Sequence, residues 1–78
     1  MTLANAIKYR IIELCNEKNI TISKMCTLSG INHSTIASFL SGKTEIPKTN
    51  TIFYITLGLN MTLAEFYDSP LFANIDDD

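Results

Sequence analysis

The sequence has few of the residues that build metal centres and disulfide frameworks. Its 78 residues include two cysteines, Cys15 and Cys26, and a single histidine, His33. The cysteines are too far apart for a Cys-x-x-Cys site, and one histidine cannot complete a ligand set. We therefore predict no metal, no cofactor, and two packing thiols, of which Cys15 is expected to have a pKa raised by burial and little reactivity. The acidic run Asp76 to Asp78 is interpreted as a solvated end rather than a metal site.

Long hydrophobic runs are also missing. The longest nearly apolar stretch, Ile52 to Leu59, is much too short to cross a bilayer, and the N-terminal residues lack the basic region and apolar core of a signal peptide. We therefore expect a cytoplasmic protein. A chain of this length forms one small domain without room for a deep cleft, and it contains no visible nucleophile–base pair, carboxylate pair or phosphate loop. The sequence thus predicts that the protein is not an enzyme.

A third absence is an excess of basic charge, the usual sign of a nucleic-acid partner. Six lysines and arginines stand against eight acidic residues, which gives a net charge of −2. The charges are unevenly distributed, however. Through Tyr67 six basic side chains stand against four acidic ones, a net of +2, and residues 21–48 hold three lysines against one glutamate. The net acidity therefore belongs to the C-terminal end and does not exclude nucleic acid elsewhere.

Apolar periodicity and capping residues predict five helices. In the first, five apolar residues recur at helical spacing: Leu3, Ile7, Ile11, Leu14 and Cys15. The helices are expected over Leu3 to Lys18, from the N-cap Thr21 to Ser29, over His33 to Ser41, over Thr49 to Leu59, and from the capping box Thr62-x-x-Glu65 to a point before Pro70. No strand pattern competes, so the predicted fold class is all-α.

The second and third helices are joined by only three residues, Gly30-Ile31-Asn32. Gly30 tolerates the left-handed conformation that ends a helix, and Asn32 is a good N-cap for the next one. Such a short connection makes the two helices cross steeply. We expect them to share a core built from Met25, Leu28, Ile36 and Leu40.

This helix order resembles the phage-repressor, XRE/Cro-type helix-turn-helix family from about Ile7 to Tyr67. The resemblance is carried by Ile20-Thr21, Gly30-Ile31-Asn32, Ser34-Thr35-Ile36, Gly42-Lys43, Pro47, Asn60-Met61-Thr62-Leu63 and Glu65-Phe66. It implies a five-helix, lambda-repressor-like DNA-binding domain in residues 1–69, with an acidic tail in residues 70–78. The helix-turn-helix would be formed by the second and third helices, and the third would lie in the DNA major groove.

The resemblance also assigns roles to individual residues. By position, the base-contacting residues would be His33, Ser34, Thr35 and Ser38, whose short polar groups suit the groove floor. The phosphate-contacting residues would be Thr21, Ser23, Lys24, Ser41, Lys43 and Lys48.

The chain departs from the family pattern at three places. His33 stands where the family often has a glutamine that pairs with adenine, so a different base preference is expected. Ile22 replaces a glutamine that grips a phosphate, which leaves the start of the second helix to hold it. Cys15 and Leu40 occupy the positions of a buried Arg–Glu pair, and the loss of both charges together avoids a stranded ion.

The fourth helix carries more apolar surface than its core stripe of Ile52, Ile55 and Leu59 requires. The surplus residues are Phe53, Tyr54 and Leu57, and the tail adds Leu71, Phe72 and Ile75. Either the tail folds back over the fourth helix or this surface meets a second subunit. The resemblance favours a homodimer, because paired recognition helices match a palindromic operator.

Two functions follow from these features. The first is a sequence-specific DNA-binding transcriptional regulator, most simply a repressor that binds double-stranded DNA as a homodimer. The second is an antitoxin-like or phage-regulatory protein-interaction module, with a protein partner on the apolar surface and weak or lost DNA binding.

Overall fold

The computed structural model describes residues 1–43 and 45–76. Its elements are α1 (Leu3–Glu17), α2 (Ile22–Ser29), α3 (His33–Leu40), α4 (Thr49–Gly58), α5 (Leu63–Tyr67) and a 3-10 helix (Pro70–Phe72). Within the described residues no strand forms, although Thr2 and Asp76 make an isolated bridge. None of these helices is long and apolar enough to cross a membrane. The all-α prediction and the five helices are confirmed; the ends of α1 to α4 differ from the predicted ones by at most one residue, and α5 ends before Pro70 as predicted.

Side-chain caps set where the helices begin. The Thr21 hydroxyl accepts the amide of Lys24 at 3.0 Å, and the Asn32 side chain accepts the amide of Ser34 at 2.9 Å. Thr62 and Glu65 exchange two hydrogen bonds in the predicted capping box. Gly30, with φ of +68°, ends α2 in the left-handed conformation. These local signals fix the helix-turn-helix before any tertiary contact is considered.

The core lies where α1, α2, α3 and α4 meet, and it is closed by Phe66 of α5. Its fully buried members include Ile11, Met25, Ile36, Ile52, Ile55 and Phe66. The prediction that Leu28 belongs to this core is wrong, because that side chain is 48% exposed. The inward face of α2 runs through Met25, Cys26 and Ser29, so Leu28 lies on its flank. On α3, Phe39 is buried in this core, although it was not among the predicted core residues.

The crossing of α2 and α4 is unusually close at Gly58. A Cβ atom added there would lie 2.3 Å from Ser29 Oγ and 2.8 Å from the Ser29 amide nitrogen. Only glycine allows the two backbones to approach in this way. The crossing therefore fixes the helix-turn-helix relative to α4.

A buried arginine joins the first and last helices. Arg10 is 8% exposed, and its Nε and Nη2 donate to the carbonyl oxygens of Phe66 at 2.6 Å and Glu65 at 2.8 Å. Its Nη1 donates to Glu13 at 2.6 Å. Cys15 is buried and Leu40 is partly buried against the core, so both expected ion-pair positions are apolar. The chain uses Arg10 to hold α5 on α1.

The tail does not fold back over α4, which was one of the two possibilities that the sequence left open. The 3-10 helix packs on α1, and the Phe72 ring lies 5.1 Å from the Tyr67 ring and 6.3 Å from the Phe66 ring. The Asp76 amide donates to the Met1 carbonyl at 2.9 Å. The tail thus packs on α1 and on the aromatic rings of α5, and Phe53, Tyr54 and Leu57 of α4 stay exposed. Asp77 and Asp78, which were expected to be solvated, lie outside the described residues.

Candidate nucleic-acid interface

The turn between α2 and α3 presents the start of α3 to solvent. The amides of Gly30 and Ile31 donate to the carbonyls of Thr27 and Cys26, at 3.3 and 3.1 Å, which ends α2 tightly. Ile36 is buried on the inner side of α3, so the preceding residues Ser34 and Thr35 are exposed. The first turn of α3 is therefore free to meet a partner.

A groove of about 540 Å³ runs between α3 and the segment that leads into α4. It is lined by Ser34, Thr35, Ser38, Glu45, Ile46, Pro47, Lys48 and Thr51. Three of the four predicted base-contacting residues and one predicted phosphate contact thus share one surface. Sequence reasoning missed Glu45, Ile46 and Thr51. The signal in the sequence was Ile46, a lone apolar residue in a loop without periodicity. The structure shows that its side chain is exposed.

The hydroxyl of Ser34 has a defined direction. It donates to the Asn32 side-chain oxygen at 2.6 Å, so toward a partner it offers lone pairs. An acceptor at this place suits the exocyclic amino group of adenine or cytosine in the major groove.

His33 points toward α2 rather than into the groove. Its Nδ1 lies 3.1 Å from Ser23 Oγ, and its Nε2 lies 3.3 Å from Thr27 Oγ1. Both ring nitrogens are therefore occupied by α2 hydroxyls. The imidazole links the start of α3 to a predicted phosphate contact.

The other predicted phosphate contacts are exposed side chains around the same helices. Lys24, Lys43 and Lys48 are exposed, and no carboxylate pairs with them among residues 1–43 and 45–76. Ser41 donates its hydroxyl to the Ser38 carbonyl at 3.0 Å, which occupies its only hydroxyl hydrogen. Ile22 is partly buried against the core, which explains why this position is apolar.

The predicted dimer residues fall into two separate sets. We call Phe53, Tyr54 and Leu57 the α4 face; their exposed fractions are 43%, 46% and 59%. The tail residues Leu71 and Phe72 are partly buried within the chain, and Ile75 is 36% exposed. The α4 face is thus the larger exposed apolar surface of the two.

The two thiols lie in the core, away from these surfaces. Burial raises the pKa of both Cys15 and Cys26 above the ordinary value, which was predicted for Cys15. In the part of the chain that the structure describes, no three His, Cys, Asp or Glu side chains come together as metal ligands.

A short-turn helix pair, an exposed first turn of the second helix and nearby free lysines define a helix-turn-helix DNA-binding domain. The chain belongs to the family of Cro/C1-type helix-turn-helix DNA-binding domains, whose model matches residues 10–69. The resemblance found in the sequence is therefore confirmed, and with it a class of DNA-binding proteins that regulate transcription.

Two solved structures are similar to this one. The prophage Lp1 protein 11 is 27% identical, with a TM-score of 0.83 over 96% of this chain and 99% of that chain. The wild-type restriction-modification controller protein C.Esp1396I is 15% identical, with a TM-score of 0.78 over 94% of this chain and 90% of that chain, and it supports the fold alone. No curated protein sequence matches the chain.

Proposed function

We propose that the protein is a sequence-specific transcription regulator, most simply a repressor, that inserts α3 into the major groove of double-stranded DNA. The groove beside α3 carries this proposal, because it places three hydroxyls next to Lys48. Ser34, Thr35 and Ser38 contact base edges, while Lys24, Lys43, Lys48 and the start of α2 with Thr21 hold phosphates. Ser41 is the weakest phosphate contact, because its hydroxyl hydrogen is already used. A regulator of this kind acts in the compartment that holds the DNA, which agrees with the cytoplasmic location predicted from the sequence.

The charge distribution shapes how this binding works. Three lysines near α2 and α3 supply phosphate contacts, but the whole chain carries a net charge of −2. Affinity for DNA of arbitrary sequence is therefore low. Binding weakens steeply as salt rises, because the counterions that the lysines displace from DNA then gain less entropy on release. Specific contacts from the α3 hydroxyls must supply the remaining discrimination.

A homodimer through the α4 face completes the proposal. Three large apolar side chains there are about half exposed, which favours burial against a second copy. Paired recognition helices about 34 Å apart would match successive turns of the major groove and so a palindromic operator.

The test is selection of bound duplexes from a random pool at two salt concentrations. We expect a motif with two related half-sites about one helical turn apart, with stronger enrichment at low salt. The matched control is a chain with Ser34→Ala, Thr35→Ala and Ser38→Ala combined, which keeps the lysines and should bind without enriching that motif. If the folded wild-type chain enriches no motif even at low salt, the proposal is wrong.

The α4 face also favours one alternative, a phage-regulatory or antitoxin-like module that binds a different protein. The similarity to a prophage protein is compatible with that setting. Sedimentation of the pure chain distinguishes the two. A dimer at tens of micromolar supports the homodimer, whereas a monomer that also enriches no DNA motif favours the alternative.

A further inference from the structure

The hydrogen bonds around His33 determine where its protons lie. The Thr27 hydroxyl donates to the Ser23 carbonyl at 3.2 Å, so toward His33 it can only accept. Its partner, Nε2 of His33, must then carry the hydrogen. In a neutral imidazole the other nitrogen, Nδ1, has no hydrogen and accepts the hydroxyl hydrogen of Ser23. In the neutral state the Ser23 hydroxyl is thus turned toward the ring.

This arrangement conflicts with a phosphate contact by Ser23. A serine hydroxyl has one hydrogen, which cannot reach both Nδ1 and a phosphate oxygen. If the neutral ring moves its hydrogen to Nδ1, Ser23 is released, but Nε2 then needs the Thr27 hydrogen and the bond to the Ser23 carbonyl is lost. Only the imidazolium, with hydrogens on both nitrogens, keeps all these hydrogen bonds at once without water. Nδ1–H then donates to Ser23 Oγ, and the Ser23 hydroxyl donates to the phosphate.

We propose that His33 is a positioning residue for a DNA phosphate bound at Ser23, and that this contact forms with uptake of one proton from solvent by His33. The proposal rests on the DNA-binding function proposed above. It assigns His33 to the DNA backbone instead of the base edge predicted from the sequence. Because the complex holds one proton more than the free protein at each half-site, affinity must rise as pH falls.

Few other ionisable side chains lie on α2 and α3, so a pH dependence of DNA binding can be assigned to His33. On α2 the ionisable side chains are Lys24, which is exposed, and the buried thiol of Cys26; on α3 there is none besides His33. A DNA phosphate bound at Ser23 brings a negative charge beside the ring, which favours the imidazolium in the complex. His33 is the single histidine of the chain, and unperturbed imidazoles change charge between about pH 5 and 8.

The experiment measures DNA affinity between about pH 5.5 and 8 at constant ionic strength. The probes are a duplex enriched in the selection and a random-sequence duplex at low salt. We expect binding to be about ten-fold tighter per half-site at the acidic end, the effect of one charge-assisted hydrogen bond. His33→Gln keeps a donor and an acceptor without titrating, so its profile should be flat.

Ser23→Ala separates the hydrogen-bond relay from simple charge attraction. This variant keeps the histidine, so it should bind more weakly at acidic pH and lose most of the pH dependence. A flat wild-type profile, or a Ser23→Ala variant with the full wild-type slope, overturns the proposal. Loss of wild-type binding at every pH instead overturns the proposed function and this inference with it.

The ring nitrogens give a second readout that does not depend on affinity. Nitrogen-15 resonances of His33 should report hydrogen on Nε2 alone in the free protein at about pH 8 and on both nitrogens in the DNA complex at about pH 7. A ring that stays neutral in the complex at about pH 6 contradicts the proposal.

Discussion

Two exposed surfaces of this small domain differ sharply in chemistry. The groove beside α3 is lined by four hydroxyl-bearing side chains, one lysine, one glutamate and the apolar Ile46 and Pro47, whereas the α4 face consists of three large apolar side chains. None of the groove-lining residues belongs to the α4 face. Hydroxyls at a groove can exchange water for base edges, whereas half-exposed aromatic and aliphatic groups favour burial against another apolar surface. One core thus supports two chemically distinct surfaces, which the proposed function assigns to DNA and to a second copy.

The largest expected effect comes from breaking the crossing on which both surfaces depend. Gly58→Ala should lower the free energy of unfolding by about 2–3 kcal/mol, because the new Cβ meets the Ser29 backbone. Without that clash, alanine in a helix would stabilise by about 1 kcal/mol. Chemical denaturation measures the change. Asn50→Ala on the exposed side of α4 is the control and should stay within about 0.5 kcal/mol. A stabilised Gly58→Ala variant would show that the close crossing is not present.

The next effect should fall on self-association alone. Leu57→Glu places a charge in the most exposed part of the α4 face and should weaken the dimer by about 2 kcal/mol, roughly thirty-fold. Folding stability should change little, because the side chain is already 59% exposed. Tyr9→Glu, also exposed but on α1, is the control. Sedimentation equilibrium measures the dimer dissociation constant of both variants. If Leu57→Glu and Tyr9→Glu weaken the dimer equally, the α4 face is not the dimer interface.

A smaller pair of effects distinguishes base reading from phosphate binding. Ser34→Ala should cost about 1–2 kcal/mol on the selected duplex and relax the preference at one position of each half-site. Lys24→Ala should weaken binding to all sequences alike and reduce the salt slope by about one for each half-site. Titrations at several salt concentrations separate these outcomes. A uniform loss for Ser34→Ala would mean that it contacts only the backbone.

The smallest effect concerns the core that both surfaces share. Burial raises the pKa of Cys15 and Cys26, so the folded state keeps neutral thiols while the unfolded chain ionises first. The free energy of unfolding should therefore be constant near neutral pH and fall as pH rises through about 9. Burial also raises the pKa of Tyr67, which acts in the same direction near pH 10. Denaturation of a Cys15→Ala, Cys26→Ala variant should show a smaller decline; an unchanged decline would assign it to other groups.

The sequence was most informative where structure is local. Thr21, Asn32 and the Thr62–Glu65 capping box act within one helical turn, and Gly30 acts on its own backbone, so capping residues and spacing predicted α2, α3 and their short connection. The helix-turn-helix assignment came from the family resemblance. Side-chain partners from distant elements were not predictable in this way. Arg10 interrupts an apolar stripe, but its acceptors lie on α5, more than fifty residues away.

The same limit applies to the site. The sequence pattern predicted that Ser34, Thr35 and Ser38 lie on one helix. The structure shows that residues 45–48 form the other side of the groove that these three residues line. The direction of His33 toward Ser23 and Thr27 depends on how α2 and α3 cross, which no residue spacing specifies. The sequence likewise could not predict that the tail packs on α1 and α5, because that depends on how these helices are arranged in space.

We propose that DNA contacts α2 and α3, whereas the α4 face contacts the second copy of the chain. Amide chemical-shift mapping with the selected duplex tests it most directly. We expect the largest changes at the start of α2, along α3 and in segment 45–48, with the amides of residues 53–57 unchanged from the DNA-free protein. Changes concentrated on residues 53–57, with α3 unaffected, would contradict the account.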